Sequence, residues 1–278
     1  MRQLDGKRVL ITGGARGIGH AIALRLAAEG CKIVLTDLKQ ELLPEAAAAI
    51  SAAGGDVSTY ALDVTEGEAI AELRERLNRG KGPIDLLINS AGVVFGGSFL
   101  EVPLEQHFLT YRINLLGLVA VTRAFLPDLI SRPEAHLVNI ASAAGFIGLP
   151  MGSTYASSKW AVIGFSDSIR QELKSQRHRH VRVSIICPSY VSTGLFGGAR
   201  APRLTRILTA ERVAELTVAA IKKNRSYMLT PWLIKITPAL KGLLPTPIFE
   251  LTSKLFGATS GMTSWQGRGG IMDPQDER

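Results

Sequence analysis

RVLITGGARGIG, at residues 8–19, sets the architecture of the whole chain. A short apolar run from Arg8 to Thr12 leads into a glycine-rich turn, and a helical pattern follows as far as Ala28. A glycine turn between a strand and a helix lets the backbone approach a pyrophosphate closely, and the helix N-terminus attracts negative charge. A plain glycine-rich turn is the alternative that the flanking elements disfavour. The pattern therefore predicts a dinucleotide site with contacts from Gly13, Arg16, Gly17, Ile18 and Gly19.

A second apolar run, KIVLTD at residues 32–37, ends in a carboxylate about 20 residues after the glycine turn. An acidic side chain at this point accepts hydrogen bonds from the adenosine ribose and repels a 2′-phosphate. Asp37 therefore predicts NAD rather than NADP as the cofactor. Arg16 and Lys39 act in the opposite sense, because either cation can reach a phosphate. A role as a turn or helix N-cap residue is the structural alternative for Asp37.

Strand-like and helix-like segments alternate along the rest of the first 225 residues. This order predicts a parallel sheet with helices on both faces, and ligands then collect beyond the carboxyl ends of the strands. The fold class expected is α/β, a doubly wound Rossmann-type sheet. Further strands are predicted at 58–62, 84–88, 136–140 and 181–187, and further helices at 40–53, 66–77 and 104–130.

STYASSK, at residues 153–159, places Tyr155 and Lys159 on one helix face about one turn apart. An ammonium beside a phenol favours the phenolate, so the pair is expected to bring the tyrosine pKa towards neutrality for proton transfer. Chance produces this spacing often, and a solvated helix face is the alternative. Ser142 follows the predicted strand 136–140 at the ligand edge. Asn114, in an apolar helix, must find hydrogen-bond partners, and a core amide is its simpler role.

These motifs together resemble the short-chain dehydrogenase/reductase family over about residues 5–225. The similarity is carried in order by TGGARGIG, Asp63-Val64, NSAG at 89–92, Asn114, Ser142, the Tyr155/Lys159 pair and PSYVST from Pro188. Ser90 and Ser189 stand where the family usually has asparagine and glycine. Both replacements are small, so the resemblance still implies an active oxidoreductase.

The resemblance also implies a role for each site residue. Tyr155 would exchange a proton with the substrate oxygen, Lys159 would lower its pKa and hold the nicotinamide ribose, and Ser142 would bind the substrate oxygen. Asn114 would support a water that relays protons from Lys159. The remaining cofactor contacts would come from Asp63 and Val64 at the adenine, Asn89, Ala91 and Gly92 at the adenosine, and Pro188, Val191 and Thr193 at the nicotinamide amide.

The segments expected to line the substrate pocket are mostly apolar and aromatic, and no cluster of cations is available to bind an acid. A hydrophobic alcohol or its carbonyl is therefore the expected substrate. TGLF at 193–196 and TPWLIKIT at 230–237 are similar to the retinol dehydrogenase and 17-beta-hydroxysteroid dehydrogenase branch, which implies retinoid, steroid or long-chain alcohols. Two alternatives stay open: an NADPH-dependent carbonyl or 3-ketoacyl reductase, and a non-catalytic dinucleotide-sensing or scaffold protein.

Composition favours a soluble globular chain without nucleic-acid or metal sites. The net charge of +8 is spread out, apart from a basic cluster at 174–182 that is expected to be a solvated helix end. Cys31 and Cys187 each adjoin an apolar run and are expected to be buried free thiols in a reducing compartment. The start of the chain leads directly into a strand, so the prediction is a cytoplasmic protein.

Three regions are expected: a catalytic and cofactor-binding domain at 1–225, a helical C-terminal extension at 226–265 and a polar tail at 266–278. The extension is predicted to begin with a strand at 227–229, followed by amphipathic helices interrupted by Pro238, Pro245 and Pro247. Its lysines leave no run of 18 apolar residues for a spanning helix, so it is expected to roof the pocket, contact a second subunit or lie on a membrane surface. Apolar helix surface around Asn114 and Tyr155 predicts a homodimer or homotetramer.

Overall fold

The computed structural model describes residues 1–203, 205–257 and 260–267. Most of the predicted polar tail at 266–278 lies outside these residues. Seven strands form one parallel sheet in the order β3-β2-β1-β4-β5-β6-β7. The strands are β1 Arg8–Thr12, β2 Lys32–Asp37, β3 Asp56–Ala61, β4 Leu86–Asn89, β5 Ala135–Ile140, β6 Val181–Pro188 and β7 Tyr227–Thr230. The predicted doubly wound α/β fold is therefore confirmed.

Helices cover both faces of the sheet because its central strands are apolar on both sides. Val9 and Ile11 of β1 enter one buried cluster, whereas Leu10 enters the cluster on the opposite face. This alternation follows the two-residue period of a strand. The helices are α1 Gly17–Ala27, α2 Leu43–Ala52, α3 Gly67–Lys81, α4 Leu104–Tyr111, α5 Leu118–Ser131, α6 Ser153–Ser175, α7 Ala210–Lys222, α8 Trp232–Leu243 and α9 Thr246–Leu255. Helices α1, α2 and α7 pack on the first face, and α3 and α5 pack on the second.

The order of the strands reverses between β1 and β4, which are neighbours in the sheet. β1 is followed along the chain by strands on one side of it, and β4 begins the strands on the other side. Such a reversal leaves a crevice at the carboxyl ends of the two strands, since their connections leave in opposite directions. Thr12 and Asn89, which are register partners, mark this crevice.

Two helix predictions differ from the structure. The single helix expected at 104–130 contains a π-helical segment, Arg112–Gly117, between α4 and α5. Pro238 lies inside α8 and does not interrupt it. A proline removes only one helical hydrogen bond, and α8 is held on both sides of it, by buried Ile234 and by the Lys241 ammonium 3.5 Å from the Trp160 ring centre.

Within the described residues, one helical stretch is long and apolar enough to cross a membrane by length and composition. It is Leu104–Ser131, and 44% of its most apolar window is buried inside the protein. Its buried residues include Phe125 and Leu129 of α5, which pack on the sheet. The stretch is therefore accounted for as a core helix.

Candidate active site

A large cleft of about 690 Å³ lies at the carboxyl edge of the sheet, where the connections after β1 and β4 leave in opposite directions. It collects residues that are far apart in the sequence, because parallel strands end at the same edge. Most of the residues predicted to contact a cofactor line it: Gly13, Arg16, Gly17, Ile18, Gly19, Asp37, Asp63, Val64, Ala91, Gly92, Tyr155, Lys159, Pro188, Val191 and Thr193.

The glycine turn forms a cradle that side chains would fill. A Cβ on Gly13 would lie 2.7 Å from the Cα of Ala91, and one on Gly19 would lie 2.3 Å from the carbonyl oxygen of Gly13. Gly17 has a φ of +61° and would bring a Cβ within 3.4 Å of Thr193. The turn leads directly into α1, whose first N–H groups have no partner inside the helix. This arrangement fits a dinucleotide with its pyrophosphate at the N-terminus of α1.

Asp37 is fixed at the end of β2 by two backbone donors. The Ala15 N–H donates to Oδ2 at 3.1 Å, and the Lys39 N–H donates to Oδ1 at 3.1 Å. Both Arg16 and Lys39 line the same end of the cleft. The carboxylate that was predicted to select the cofactor therefore has a defined position beside the glycine turn, with two cations in the same region.

Tyr155 and Ser142 face each other where the cleft meets a smaller apolar cavity. Ser142 precedes a 3₁₀ turn, Ala143–Phe146, and its Oγ accepts a hydrogen bond from the Ala144 N–H at 3.1 Å. The Ser142 hydroxyl also hydrogen-bonds the Tyr155 side chain, which lowers the tyrosine pKa, but burial has the larger effect and raises it to about 12. The two hydroxyls form a polar pair in an otherwise apolar wall.

Lys159 lies close to the Tyr155 ring and bonds to the end of β5. Its ammonium donates to the Ile140 carbonyl at 2.9 Å and lies 5.8 Å from the Tyr155 ring centre. Burial lowers the pKa of Lys159 to about 8. In this arrangement burial is the main influence on the tyrosine pKa, and the expected lowering by Lys159 stays a prediction.

Asn114 lies in the π-helical segment 112–117 and connects three parts of the site. Its Oδ1 accepts from the Val93 N–H at 2.8 Å, and its Nδ2 donates to the Val93 carbonyl at 3.0 Å and to Ser158 Oγ at 3.1 Å. A Cβ on Gly92 would lie 3.2 Å from Asn114 Oδ1 and 3.6 Å from Lys159 Nζ. Asn114 therefore joins the loop after β4 to α6, close to the Lys159 ammonium. Its proposed water relay stays a prediction.

Asn89 lies behind the cleft wall. Its buried Nδ2 donates to Thr122 Oγ1 and to Asn139 Oδ1, both at 2.9 Å. Thr12 Oγ1 accepts from the N–H groups of Ser90 and Ala91 at 3.1 and 3.3 Å. These bonds fix the loop after β4, so Asn89 supports the cofactor wall from inside the core.

The smaller cavity, of about 190 Å³, extends from Ser142 and Tyr155 to the underside of α8 and α9. Its wall includes the apolar and aromatic side chains of Ile147, Leu149, Tyr190 and Phe196. The neighbouring Phe146 packs against Tyr227. The Phe196 ring meets the Tyr155 ring edge-on, with centres 5.5 Å apart, and lines both the cleft and the cavity. The C-terminal extension therefore roofs the pocket.

A second element over the site was not anticipated from the sequence. Residues 260–267 cross the loop that carries Phe196, where the Gln266 N–H donates to the Gly197 carbonyl at 2.8 Å. Trp265 Nε1 donates to the Leu195 carbonyl at 3.1 Å, and a Cβ on Gly96 would lie 2.6 Å from the Trp265 ring. The sequence offered one signal for this element, a tryptophan among glycines near the end of the chain. Its contacts lie about 70 to 170 residues away in the sequence, so no local pattern predicts them.

Comparisons with known proteins agree with this geometry. The family model of the short chain dehydrogenases matches residues 7–203. The ketoacyl reductase HetN of Nostoc sp. is 36% identical, over 89% of this chain and 88% of its own length. Human epidermal retinol dehydrogenase 2 is 31% identical, over 94% and 85%, and estradiol 17-beta-dehydrogenase 11 of Pongo abelii is 30% identical, over 88% and 81%.

Two solved structures of similar chains differ in their cofactor. A short chain dehydrogenase/reductase from Burkholderia phymatum in complex with NAD has a TM-score of 0.79 and 29% identity, covering 91% of this chain and 97% of its own. A metagenomic short-chain oxidoreductase in complex with NADP has a TM-score of 0.68 and 31% identity, covering 81% and 96%. The glycine cradle, the Ser142/Tyr155/Lys159 arrangement and these matches place the chain in the short-chain dehydrogenase/reductase family, as an NAD(P)-dependent oxidoreductase similar to the retinol and 17-beta-hydroxysteroid dehydrogenases.

Proposed function

We propose that this protein is an NAD(H)-dependent oxidoreductase that interconverts an apolar alcohol and its aldehyde or ketone. The observation that carries the proposal is the apolar cavity under α8 and α9, which opens directly onto the hydroxyls of Ser142 and Tyr155. Its described walls carry hydroxyl groups but no charged side chain. A substrate that ends in an alcohol or carbonyl would therefore place that oxygen at the two hydroxyls and its apolar body in the cavity.

The residues at the junction supply the proton chemistry. When bound, the nicotinamide ring accepts a hydride from the alcohol carbon or returns one to the carbonyl carbon. For oxidation, the Tyr155 phenolate takes the hydroxyl proton and becomes the phenol; for reduction, the phenol gives that proton to the carbonyl oxygen. Ser142 donates a hydrogen bond to the same substrate oxygen and stabilises the charge that develops there. Lys159 holds the nicotinamide ribose, and Asn114 supports the path by which protons leave Lys159.

The small volume of the cavity favours slender substrates within the apolar class. At about 190 Å³ it is smaller than the roughly 300 to 1,000 Å³ of ordinary ligand pockets. A rigid, wide body such as a steroid would need a larger displacement of the cavity wall than an alkyl or polyene chain. We therefore rank long-chain and retinoid alcohols above steroids.

A second candidate, NADPH-dependent reduction of a carbonyl or 3-ketoacyl substrate, is supported by the 36% identity to a ketoacyl reductase. Arg16 and Lys39 lie beside Asp37 at the end of the cleft where a 2′-phosphate would bind. The fixed Asp37 carboxylate opposes that phosphate by charge repulsion, which is why we propose NAD first. Binding of NADH and NADPH to the same preparation separates the two candidates.

The test is a turnover screen of the full chain with NAD and NADP over retinol, steroid alcohols and alcohols of 8 to about 16 carbons. Turnover of an apolar class with NAD supports the proposal, and turnover only of ketoacyl substrates with NADPH supports the second candidate. Tyr155→Phe is the control, expected to lose turnover by about 10²- to 10⁴-fold while NADH binding is kept. Unchanged turnover in Tyr155→Phe would remove the mechanism.

The proposed assembly rests on exposed apolar side chains of one helical stretch. Leu104, Phe108 and Leu116 on the stretch 104–131 are more than half exposed, which suits pairing of this surface in a homodimer or homotetramer. A single-subunit mass by light scattering at micromolar concentration would oppose this. We propose that the protein is located in the cytoplasm.

A further inference from the structure

We infer that the outer faces of α8 and α9 form a membrane-docking surface that seats the protein on anionic lipid bilayers. The surface consists of Trp232, Ile236, Leu240 and Leu243 on α8 and Ile248, Leu251, Leu255 and Phe256 on or next to α9. Half of the large apolar side chains that are exposed in the described part of the chain lie here. A concentration of this kind marks an interaction site, because scattered single residues are the norm elsewhere.

The helices are apolar on the side that faces water. On α8 the apolar positions 232, 236, 240 and 243 recur at helical spacing and share one face. Lys235 is an exposed charged residue of the same helix. On α9 the exposed side carries Ile248, Leu251 and Leu255, whereas Phe249, Thr252 and Ser253 line the cavity. A helix that only roofed a pocket would direct a polar side outward. These helices are apolar on the outward side as well as towards the cavity, which suits an apolar environment outside.

Charge indicates a bilayer as the occupant. Residues 231–257 contain three lysines and one acidic residue, Glu250, in a chain of net charge +8. Exposed Lys235 and Lys254 accompany the apolar residues, and the N–H of exposed Arg203 donates to the Phe256 carbonyl at 2.8 Å, so a further cation lies at the end of α9. Cations beside inserted leucines and a tryptophan are the pattern of a helix that lies in the interface of an anionic membrane.

The depth of this contact is limited to the interface. α8 has 12 residues and α9 has 10, whereas a spanning helix needs about 20. Each helix therefore lies along the surface with its apolar side in the outer acyl region.

The surface is continuous with the substrate cavity. Leu240 and Phe256 are each 38% exposed and also line the cavity wall. On a membrane, an apolar alcohol dissolved in the bilayer would enter the cavity past these two side chains. This route of entry rests on the proposed function, but membrane binding itself does not.

Binding is tested by flotation of the full chain with vesicles of phosphatidylcholine alone and with about 30% phosphatidylserine. We expect binding to the anionic vesicles that weakens as salt is raised. The double variant Leu243→Glu/Leu251→Glu changes two exposed side chains outside the cavity wall, and it should lose vesicle binding by at least about tenfold. The matched control Leu100→Glu changes a side chain that is 90% exposed elsewhere, and it should bind as the wild type does.

The position is tested by quenching of tryptophan fluorescence with brominated lipids, which should be lost in Trp232→Phe although Trp160 and Trp265 remain. No vesicle binding by the wild type, or equal binding by the double variant, would overturn the proposal. A wild-type molecular mass that doubles as protein concentration rises, together with a single-subunit mass in the double variant, would also overturn the proposal. A second copy of the chain would then cover the surface. Vesicle binding without turnover of any apolar alcohol would keep the docking surface and reject the proposed function.

Discussion

The Lys159 ammonium lies 5.8 Å from the centre of the Tyr155 ring and is bonded to the Ile140 carbonyl, with both side chains buried. Burial moves the two groups in opposite directions, raising the pKa of Tyr155 to about 12 and lowering that of Lys159 to about 8. Each change disfavours the charged form, as desolvation must. The free enzyme therefore holds a neutral tyrosine and a lysine that loses its proton just above neutral pH.

This pair predicts different pH profiles for the two directions of the reaction. Alcohol oxidation needs the Tyr155 phenolate, so kcat/KM should rise with pH from 6 to at least 9. Carbonyl reduction needs the phenol and the Lys159 ammonium, so kcat/KM should be level below about pH 8 and fall above it, as Lys159 loses its proton. Initial rates in both directions check this. A flat oxidation profile would mean that the tyrosine is ionised throughout.

Replacing Lys159 by methionine should stabilise the fold and abolish turnover. The fall of the Lys159 pKa from its ordinary 10.5 to about 8 corresponds to about 3 kcal/mol of desolvation cost for the ammonium. The unfolded chain binds the extra proton between these pH values, so wild-type stability should rise as pH increases from about 8 to 10.5. The gain from Lys159→Met is therefore largest below pH 8 and disappears above 10.5. Thermal unfolding at pH 7 and 10.5 measures it, and a lower Tm at pH 7 would contradict it.

Asp37 is expected to select against NADPH. Asp37→Asn keeps the shape and removes the charge, and its single amide oxygen can accept from only one of the Ala15 and Lys39 N–H groups. The ratio of the Kd for NADPH to that for NADH should fall by at least about tenfold. Arg16→Gln is the matched variant that removes a positive charge, and it should weaken NADPH binding more than NADH binding. Fluorescence titration of both cofactors gives the ratios; no change in Asp37→Asn would show that the carboxylate does not select.

Trp265 is expected to act on substrate binding through the loop that carries Phe196. Trp265→Ala removes the hydrogen bond to Leu195 and the ring that covers Gly96, so the loop should loosen. KM for the apolar substrate should rise about three- to tenfold while the Kd for NADH stays the same. Gly96→Ala displaces the same ring from the other side and should have a similar effect. Leu100→Ala, on the exposed surface nearby in sequence, should leave KM unchanged.

The sheet could be predicted from the sequence because the patterns that indicate each strand are local. An apolar run, a turn residue and a helical period repeat often enough to define every strand from Arg8 to Pro188 within a few residues. The residues at the strand ends then follow from topology, because all parallel strands finish at one edge. Asp37, Ser142 and Thr193 lie at this edge as predicted. Their positions follow from the local strand patterns and from the parallel connection of the strands.

Properties that depend on burial could not be predicted from the sequence. The direction of the Tyr155 pKa depends on how much water reaches the ring, and the sequence shows the nearby cation but not the depth. The π-helical segment at Asn114 and the place of Asn89 behind the cleft wall depend on contacts with distant residues. Trp265 over Gly96 and Phe196 against Tyr155 join segments whose separation in the chain exceeds any local period.

The sequence alone determined the fold, the dinucleotide cleft and the chemical groups proposed to transfer the proton, since periodicity, glycine spacing and residue type contain that information. The tertiary structure decided what surrounds those groups. It set the pKa values through desolvation, closed the apolar cavity with α8 and α9, and turned an apolar face of both helices outward. These properties arise from which surfaces exclude water, and that depends on the packing of residues far apart in the chain.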